Sequence, residues 1–341
     1  MNTSNILRYR LSGPADLPAV TAYLLGYQPS PGSIAALAVH NARIQACLGI
    51  DAQRIPPQPE AITAVADELA AHATTNNWTL ILLFYGNTSQ TGHRITTILQ
   101  HLHHNEIQVA AAYRIGEKHL HCLLCGGCDH DITAYDITTS AFSATAAYAG
   151  MPNPPDRATI AAQYAPITGT RRHHFDNTLK QALQRHRSLT ASDGGNPAGQ
   201  TSQQLHLAGT TAVDDAIAQT HTGELIDDHD AAWLLLLLQH LPVRDHAWTT
   251  GNSLPAQRLW AHLTRLAPPA FAAPPACLLA INALTHGDHL TANIALERAQ
   301  HADPTYSLTH ILTRAIHARL TQQQMRDLLT FNTETPPPAQ N

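Results

Sequence analysis

Apolar positions along this chain follow two different rhythms. Over residues 1–149, short extended patterns alternate with helical ones. Residues 78–85 (WTLILLFY) are an unbroken apolar run between Asn-Asn and Gly-Asn, the pattern of a central strand buried on both faces. Residues 34–50 predict two strands around a turn at His40-Asn41. Residues 6–11 (ILRYRL), 107–115 (IQVAAAYRI) and 118–124 (KHLHCLL) predict three more. Helices fall between them. In 59–77, Ile62, Val65, Ala66 and Leu69 recur on one side, the 3.6-residue period of an amphipathic helix. Residues 14–26 place Pro14 in a first helical turn and Gly26 just past the last, and 93–104 are helical again. Strands alternating with helices predict a mixed sheet covered by helices, an α/β domain over 1–149.

Beyond Cys128 only helical patterns remain. Residues 138–150, 155–165 and 171–187 predict helices, the later ones making a helical connector over 150–189. Residues 190–201 (TASDGGNPAGQT) have almost nothing to bury and predict a flexible linker. From 202 to 330 the pattern is helices punctuated by prolines, and 331–341 predicts a disordered tail. The apolar peak at 233–241 (WLLLLLQHL) falls far short of the ~20 residues of a spanning helix and predicts a buried one. In 303–320, Asp303 is placed as a helix N-cap, Pro304 at the first helical position, and Leu308, Ile311, Leu312, Ala315 and Ile316 on one apolar face. A helix, then Asp-Pro-x-Tyr, then another helix has the form of one TPR-like hairpin, although no 34-residue period recurs. The expected second domain is therefore an all-α helical bundle, TPR-like, over 202–330.

Composition narrows the class. At 341 residues the chain exceeds the size at which one core usually stops growing, which supports two domains. Charged residues are 13%, below the usual share of roughly a quarter, so solubility leans on Thr, Gln, Asn and His. A net charge of −5 offers no general attraction to nucleic acid or to an anionic membrane. Arg8 and Arg10 interrupt the only apolar run near the N-terminus, so no signal peptide is predicted. Five cysteines, three of them within seven positions, are not a secreted disulfide framework. A cytoplasmic protein without nucleic-acid or membrane partners is expected.

Two blocks carry a resemblance. One is 11–29 (LSGPADLPAVTAYLLGYQP). The other comprises VRDHAW at 243–248, WAHLTR at 260–265, LLA at 278–280, GD at 287–288 and ANIALERAQHADPTYSL at 292–308. On these residues the chain resembles the actinobacterial family catalogued as domain of unknown function 4192, over nearly its whole length. The family name assigns no activity, so the resemblance implies none. The family often carries a cysteine and then a cysteine pair at the end of its α/β part, where Cys122 and Cys128 stand here. This chain departs from that pattern, because Asp129 and His130 follow Cys128 and Cys125 is an addition.

The sharpest chemical clue is 118–131 (KHLHCLLCGGCDHD). Zinc takes four nitrogen or sulfur ligands, and C-x2-C sets two sulfurs at a suitable bite. Cys122, Cys125, Cys128 and His130 are thus candidate ligands and zinc the candidate cofactor. A Cys122–Cys128 redox pair is a second reading. A turn of small residues with no ligand role ranks first, because zinc ribbons draw two knuckles from separate segments and only one occurs here. On a strand, His119 and His121 would also face away from Cys122.

Loop 86–92 follows the strongest strand and precedes a helix, where phosphates bind in α/β folds. Its glycine spacing is not that of a P-loop, and His93 stands where lysine is needed. Arg171 to His174 suit a solvated helix start. Arg244, Asp245, Trp260, Arg298, Asp303 and Tyr306 lie among helices, where a buried Arg–Asp pair holding the bundle is the economical reading and a peptide groove the functional one. No acid–base or nucleophile constellation is readable. The expected function is a non-enzymatic binding or scaffold protein that meets a protein partner through its C-terminal helices. The alternative is an enzyme or zinc protein with its site at loop 86–92 or at Cys122–Cys128. Catalytic residues, partner identity and oligomeric state are not legible.

Overall fold

The apolar run at 79–85 sits inside a sheet. It forms β3 (Thr79–Tyr85), hydrogen-bonded to β1 (Ile34–His40) on one side and β4 (Val109–Ile115) on the other. The structure, a computed structural model, describes residues 9–50, 59–125, 132–191 and 197–317. Six strands run in the order β2-β1-β3-β4-β5-β6, with β2 (Arg43–Ile50), β5 (His119–Cys122) and β6 (Ile132–Ala134) completing the set. Among the described strands only β3 and β4 pair in parallel, joined by α3 (Thr88–His104); the other ladders are antiparallel. The sheet is therefore mixed, as the sequence predicts.

Alternation along the strands feeds two layers. Ile34, Ala36, Ala38, Leu80, Leu82 and Phe84 face α2 (Pro59–Asn76) and α3, meeting Ile62, Leu69, Ile98 and Leu102. Ala35, Leu37, Leu83 and Tyr85 face the other way, toward Leu17 at the start of α1 (Leu17–Leu25). Because β3 is covered on both sides, it has no polar face to show in the sequence. Gly26 ends α1 at φ 77°, a left-handed cap that glycine adopts without strain. The β1–β2 hairpin turns on Asn41-Ala42, both at positive φ, one residue later than expected. Tyr9 to Leu11 form no strand, against the expectation for 6–11, whose first residues lie outside the described ones. Helix α4 (Ala141–Tyr148) packs on α1 through Phe142 and Ala146.

Contacts divide the chain into Met1–Thr159 and Ile160–Asn341, with α5 (Arg157–Gln163) crossing the boundary. The second unit is helical. It contains α6 (Gly169–Ala191), α7 (Pro197–His221), α8 (Asp228–Leu237), α9 (Leu241–Thr250), α10 (Leu254–Leu266), α11 (Pro269–Thr285), α12 (His289–Ala302) and α13 (Ser307–His317). The apolar peak predicted as a buried helix is α8, with Trp233 through Leu238 all in the core. The stretch expected as a connector supplies most of α6, whose Phe175 and Leu179 join that same core. Of the expected linker, 192–196 lie outside the described residues; 190–191 close α6 and 197–201 open α7. The expected tail also lies outside them. Among the described residues no helix is long and apolar enough to cross a membrane.

Helix α13 corrects two expectations. It begins at Ser307, so Asp303 is not its N-cap and Pro304 is not in its first turn. The Asp303 carboxylate instead accepts from Thr305 N–H at 2.9 Å and Thr305 Oγ1 at 2.7 Å, a turn closing the gap after α12. On the predicted apolar face Leu308, Leu312 and Ile316 are buried, but Ile311 is 50% exposed. At about 100° per residue, position 311 falls outside the arc that holds the other three. Leu312→Ala is therefore expected to cost ~2–5 kcal/mol, the usual range for a large buried cavity. Ile311→Ala should cost under ~0.5 kcal/mol. Denaturant melts of the two variants check both values.

Candidate functional site

The cysteine stretch begins on fixed backbone. Strand β5 ends at Cys122, which pairs with Tyr113 of β4, and the next residue, Leu123, donates its N–H to Ala112 O at 2.8 Å. The chain then bends, bringing Cys122 Sγ within 3.0 Å of Cys125 Sγ. Partial burial and the two nearby sulfurs push the Tyr113 hydroxyl above its ordinary pKa. His119 and His121 alternate with Leu120 and Cys122 along the strand, as the pattern predicts. Cys128 and His130 lie outside the described residues. Among the described residues no group of three or more His, Cys, Asp or Glu side chains is placed to hold a metal.

Loop 86–92 is a strand–loop–helix connection, with Gly86 at φ 118°. Its first amide is already used, since Gly86 N–H donates to Ile115 O at 2.8 Å. Arg94 Nη1 donates to Gly32 O at 3.1 Å, tying α3 to the turn before β1. These bonds brace the sheet edge from within.

The six polar residues singled out among the helices do not form one constellation. Arg244, 8% exposed, donates to Asp245 Oδ1 at 3.0 and 2.7 Å and to Tyr306 OH at 3.2 Å. Burial works against its charge, but the bonds to Tyr306 and Asp245 win and raise its pKa. This cluster ties α9 to the start of α13. Trp260 Nε1 donates to Gly251 O at 3.0 Å, and Asn282 Nδ2 donates to the same oxygen at 2.9 Å. Arg298 Nη2 reaches Ala267 O at 3.1 Å, beside Arg172 Nη1 on Leu266 O at 2.7 Å. Both guanidiniums satisfy carbonyls at the end of α10, orphan acceptors of a helix C-terminus. The Arg–Asp pair is present but not buried as a pair, since Arg244 is buried while the Asp245 side chain is 45% exposed, and its neighbours hold helix ends.

A different constellation was hidden from sequence reasoning. His186 on α6 and His240, the residue before α9, bring their Nε2 atoms to 3.1 Å. Their ring centres are 5.4 Å apart, so the two nitrogens meet nearly head-on across one hydrogen bond, with one ring donating and the other accepting. Arg185 stacks on Trp233, 4.4 Å from the ring centre. Beside the pair lies a hollow of about 300 Å³ lined by His206, Gln239, His240, Leu241, Pro242 and Val243. Leu207 and Leu241 stand 68% and 60% exposed. Nothing in the spacing of two histidines 54 residues apart signals this. Elsewhere in the unit Arg171 forks onto Asp228 at 2.5 and 2.6 Å, so Arg171 serves α6–α8 docking rather than a purely solvated helix start.

Two histidines of this unit respond to pH. Burial, and then the charge of His186, lower the His240 pKa; burial chiefly lowers that of His262. Both take up a proton at lower pH in the folded chain than in the unfolded chain, which binds protons near the ordinary value of about 6.5. Their contribution is full above that value and is lost as pH falls through the lowered folded pKa values. Urea midpoints should therefore drop between pH 7.5 and pH 5, above the carboxylate range, and His240→Gln should flatten the slope.

No curated protein and no solved structure matches the chain. The family model described as domain of unknown function (DUF4192) matches residues 14–322, a span that takes in β1 to β6 and every helix from α1 to α13, so the chain belongs to the DUF4192 family.

Proposed function

We propose that the protein is a cytoplasmic, non-enzymatic binding or scaffold protein whose helical unit receives a protein partner. The observation that carries this reading is the hollow lined by exposed Leu241 and by His206, the chain neighbour of exposed Leu207. Large apolar side chains left in solvent around a concavity are characteristic of partner sites. The lining also offers two imidazoles, His206 and His240, which suits an apolar anchor flanked by hydrogen-bonding groups. The helices behind it support a TPR-like reading. From α10 to α13, successive helices pack on one another and are joined by connections of two to four residues, the form of stacked helical hairpins. Affinity capture from native cells with the full chain tests the proposal. Leu207→Asp with Leu241→Asp should lose the partner, while Leu254→Asp, equally exposed but outside the hollow, should keep it. Identical capture by all three chains would overturn the reading. A zinc site drawing on Cys122, Cys125, Cys128 and His130 is the second reading, supported by the meeting of Cys122 and Cys125 at the strand end. Stoichiometric zinc in the purified chain is its test.

A further inference from the structure

We infer that Cys122 and Cys125 form a redox-active dithiol that reduces small disulfides by closing into a Cys122–Cys125 disulfide. The inference is independent of the helical hollow. Its first support is distance. The sulfurs are 3.0 Å apart. Two sulfurs bound to one tetrahedral zinc, each at ~2.3 Å, would stand about 3.8 Å apart. This pair is closer than that, and a shift of about an ångström would bring it to the ~2.05 Å of a bond.

The second support is how the two thiols are held. The ladder to Tyr113 and the Leu123–Ala112 bond anchor Cys122 on the sheet. Cys125 sits past the bend and is exposed, while Cys122 is half-buried. One thiol can therefore meet a small disulfide in solution and the other waits behind it. Cys47 and Cys277 give the contrast. Burial pushes both thiols up to about 12, which leaves them protonated and inert near neutral pH.

The step balances as ordinary thiol–disulfide exchange. The Cys125 thiolate attacks one sulfur of R–S–S–R, forms a mixed disulfide and expels RS⁻. The Cys122 thiolate then attacks Cys125 Sγ, forms the internal disulfide and expels the second RS⁻. Two electrons pass from the protein to the small disulfide, and the two thiol protons end on two RSH.

The test equilibrates the full chain in buffers of glutathione and glutathione disulfide, traps thiols with an alkylating agent and maps them by peptide mass. The oxidised-to-reduced ratio of the 122/125 pair should change tenfold for each ~30 mV of buffer potential, the slope of one two-electron step. Cys128→Ser should leave that slope unchanged. Cys122→Ser, which lacks the resolving thiol, should accumulate a mixed disulfide with glutathione on Cys125. Cys47 and Cys277 should stay reduced throughout. A disulfide that maps to Cys128, stoichiometric zinc that blocks both thiols, or a Cys122→Ser chain with no mixed disulfide would each overturn the inference.

Discussion

Trp260→Ala is expected to destabilise the helical unit by ~3–5 kcal/mol, the range for emptying a large aromatic from a core. Trp260 is 1% exposed and is among the largest fully buried side chains. Volume is only part of the loss. Its Nε1 shares Gly251 O with Asn282, whose amide also reaches Ser253 O at 2.9 Å. These bonds fix the turn between α9 and α10. Removing the indole leaves that carbonyl with one donor fewer in a dry interior, which adds to the cavity cost. Trp260→Phe keeps most of the volume and loses the donor, so it should fall about 1–3 kcal/mol below the wild type. Denaturant melts separate the two terms. Equal stability for Phe and wild type would mean the indole N–H contributes nothing.

The second large effect runs in the opposite direction, toward overfilling. Gly209 lies on α7 where the helix presses against α9. A Cβ added there would stand 2.2 Å from Val243 Cγ2 and 2.8 Å from Val243 Cγ1. Alanine should favour a helix over glycine by about 1 kcal/mol. The clash wins, because overpacking costs up to ~3 kcal/mol and both valine methyls sit on a fully buried side chain. Gly209→Ala is therefore expected to be net destabilising by about 2 kcal/mol. Val243→Ala removes the two clashing methyls and leaves its own Cβ 3.1 Å from the new one, a contact that needs only a few tenths of an ångström. The double variant should be more stable than Gly209→Ala alone, a coupling that two independent sites would not show. Additive melts would mean that α7 and α9 do not meet at this glycine.

What the sequence disclosed follows from burial. Strand β3 and helix α8 were legible because elements covered all round carry unbroken apolar runs. Strand β6, three residues with Ile132 exposed, has no such run and was missed. Asp303 was misplaced because aspartate serves N-caps and local turns through the same hydrogen bond to a following N–H. The candidate sites divide the same way. The meeting of Cys122 and Cys125 could be read because they stand three positions apart along one bend. The hollow could not, because His206 belongs to α7, while Gln239 through Val243 run from the connection after α8 into the start of α9. Only the packing of those helices brings them together.

The most direct measurement of the binding reading is photo-crosslinking in native cells with a photoreactive residue placed singly at 207, 241 or 254. Leu241 lines the hollow, Leu207 follows the lining residue His206 on α7, and 254 is an equally exposed leucine that neither lines it nor neighbours a lining residue in the chain. The reading predicts one crosslinked protein shared by positions 207 and 241, weak or absent at 254, and lost from position 241 when Leu207→Asp is added. Crosslinking that is equal at all three positions, or found only at 254, would contradict it.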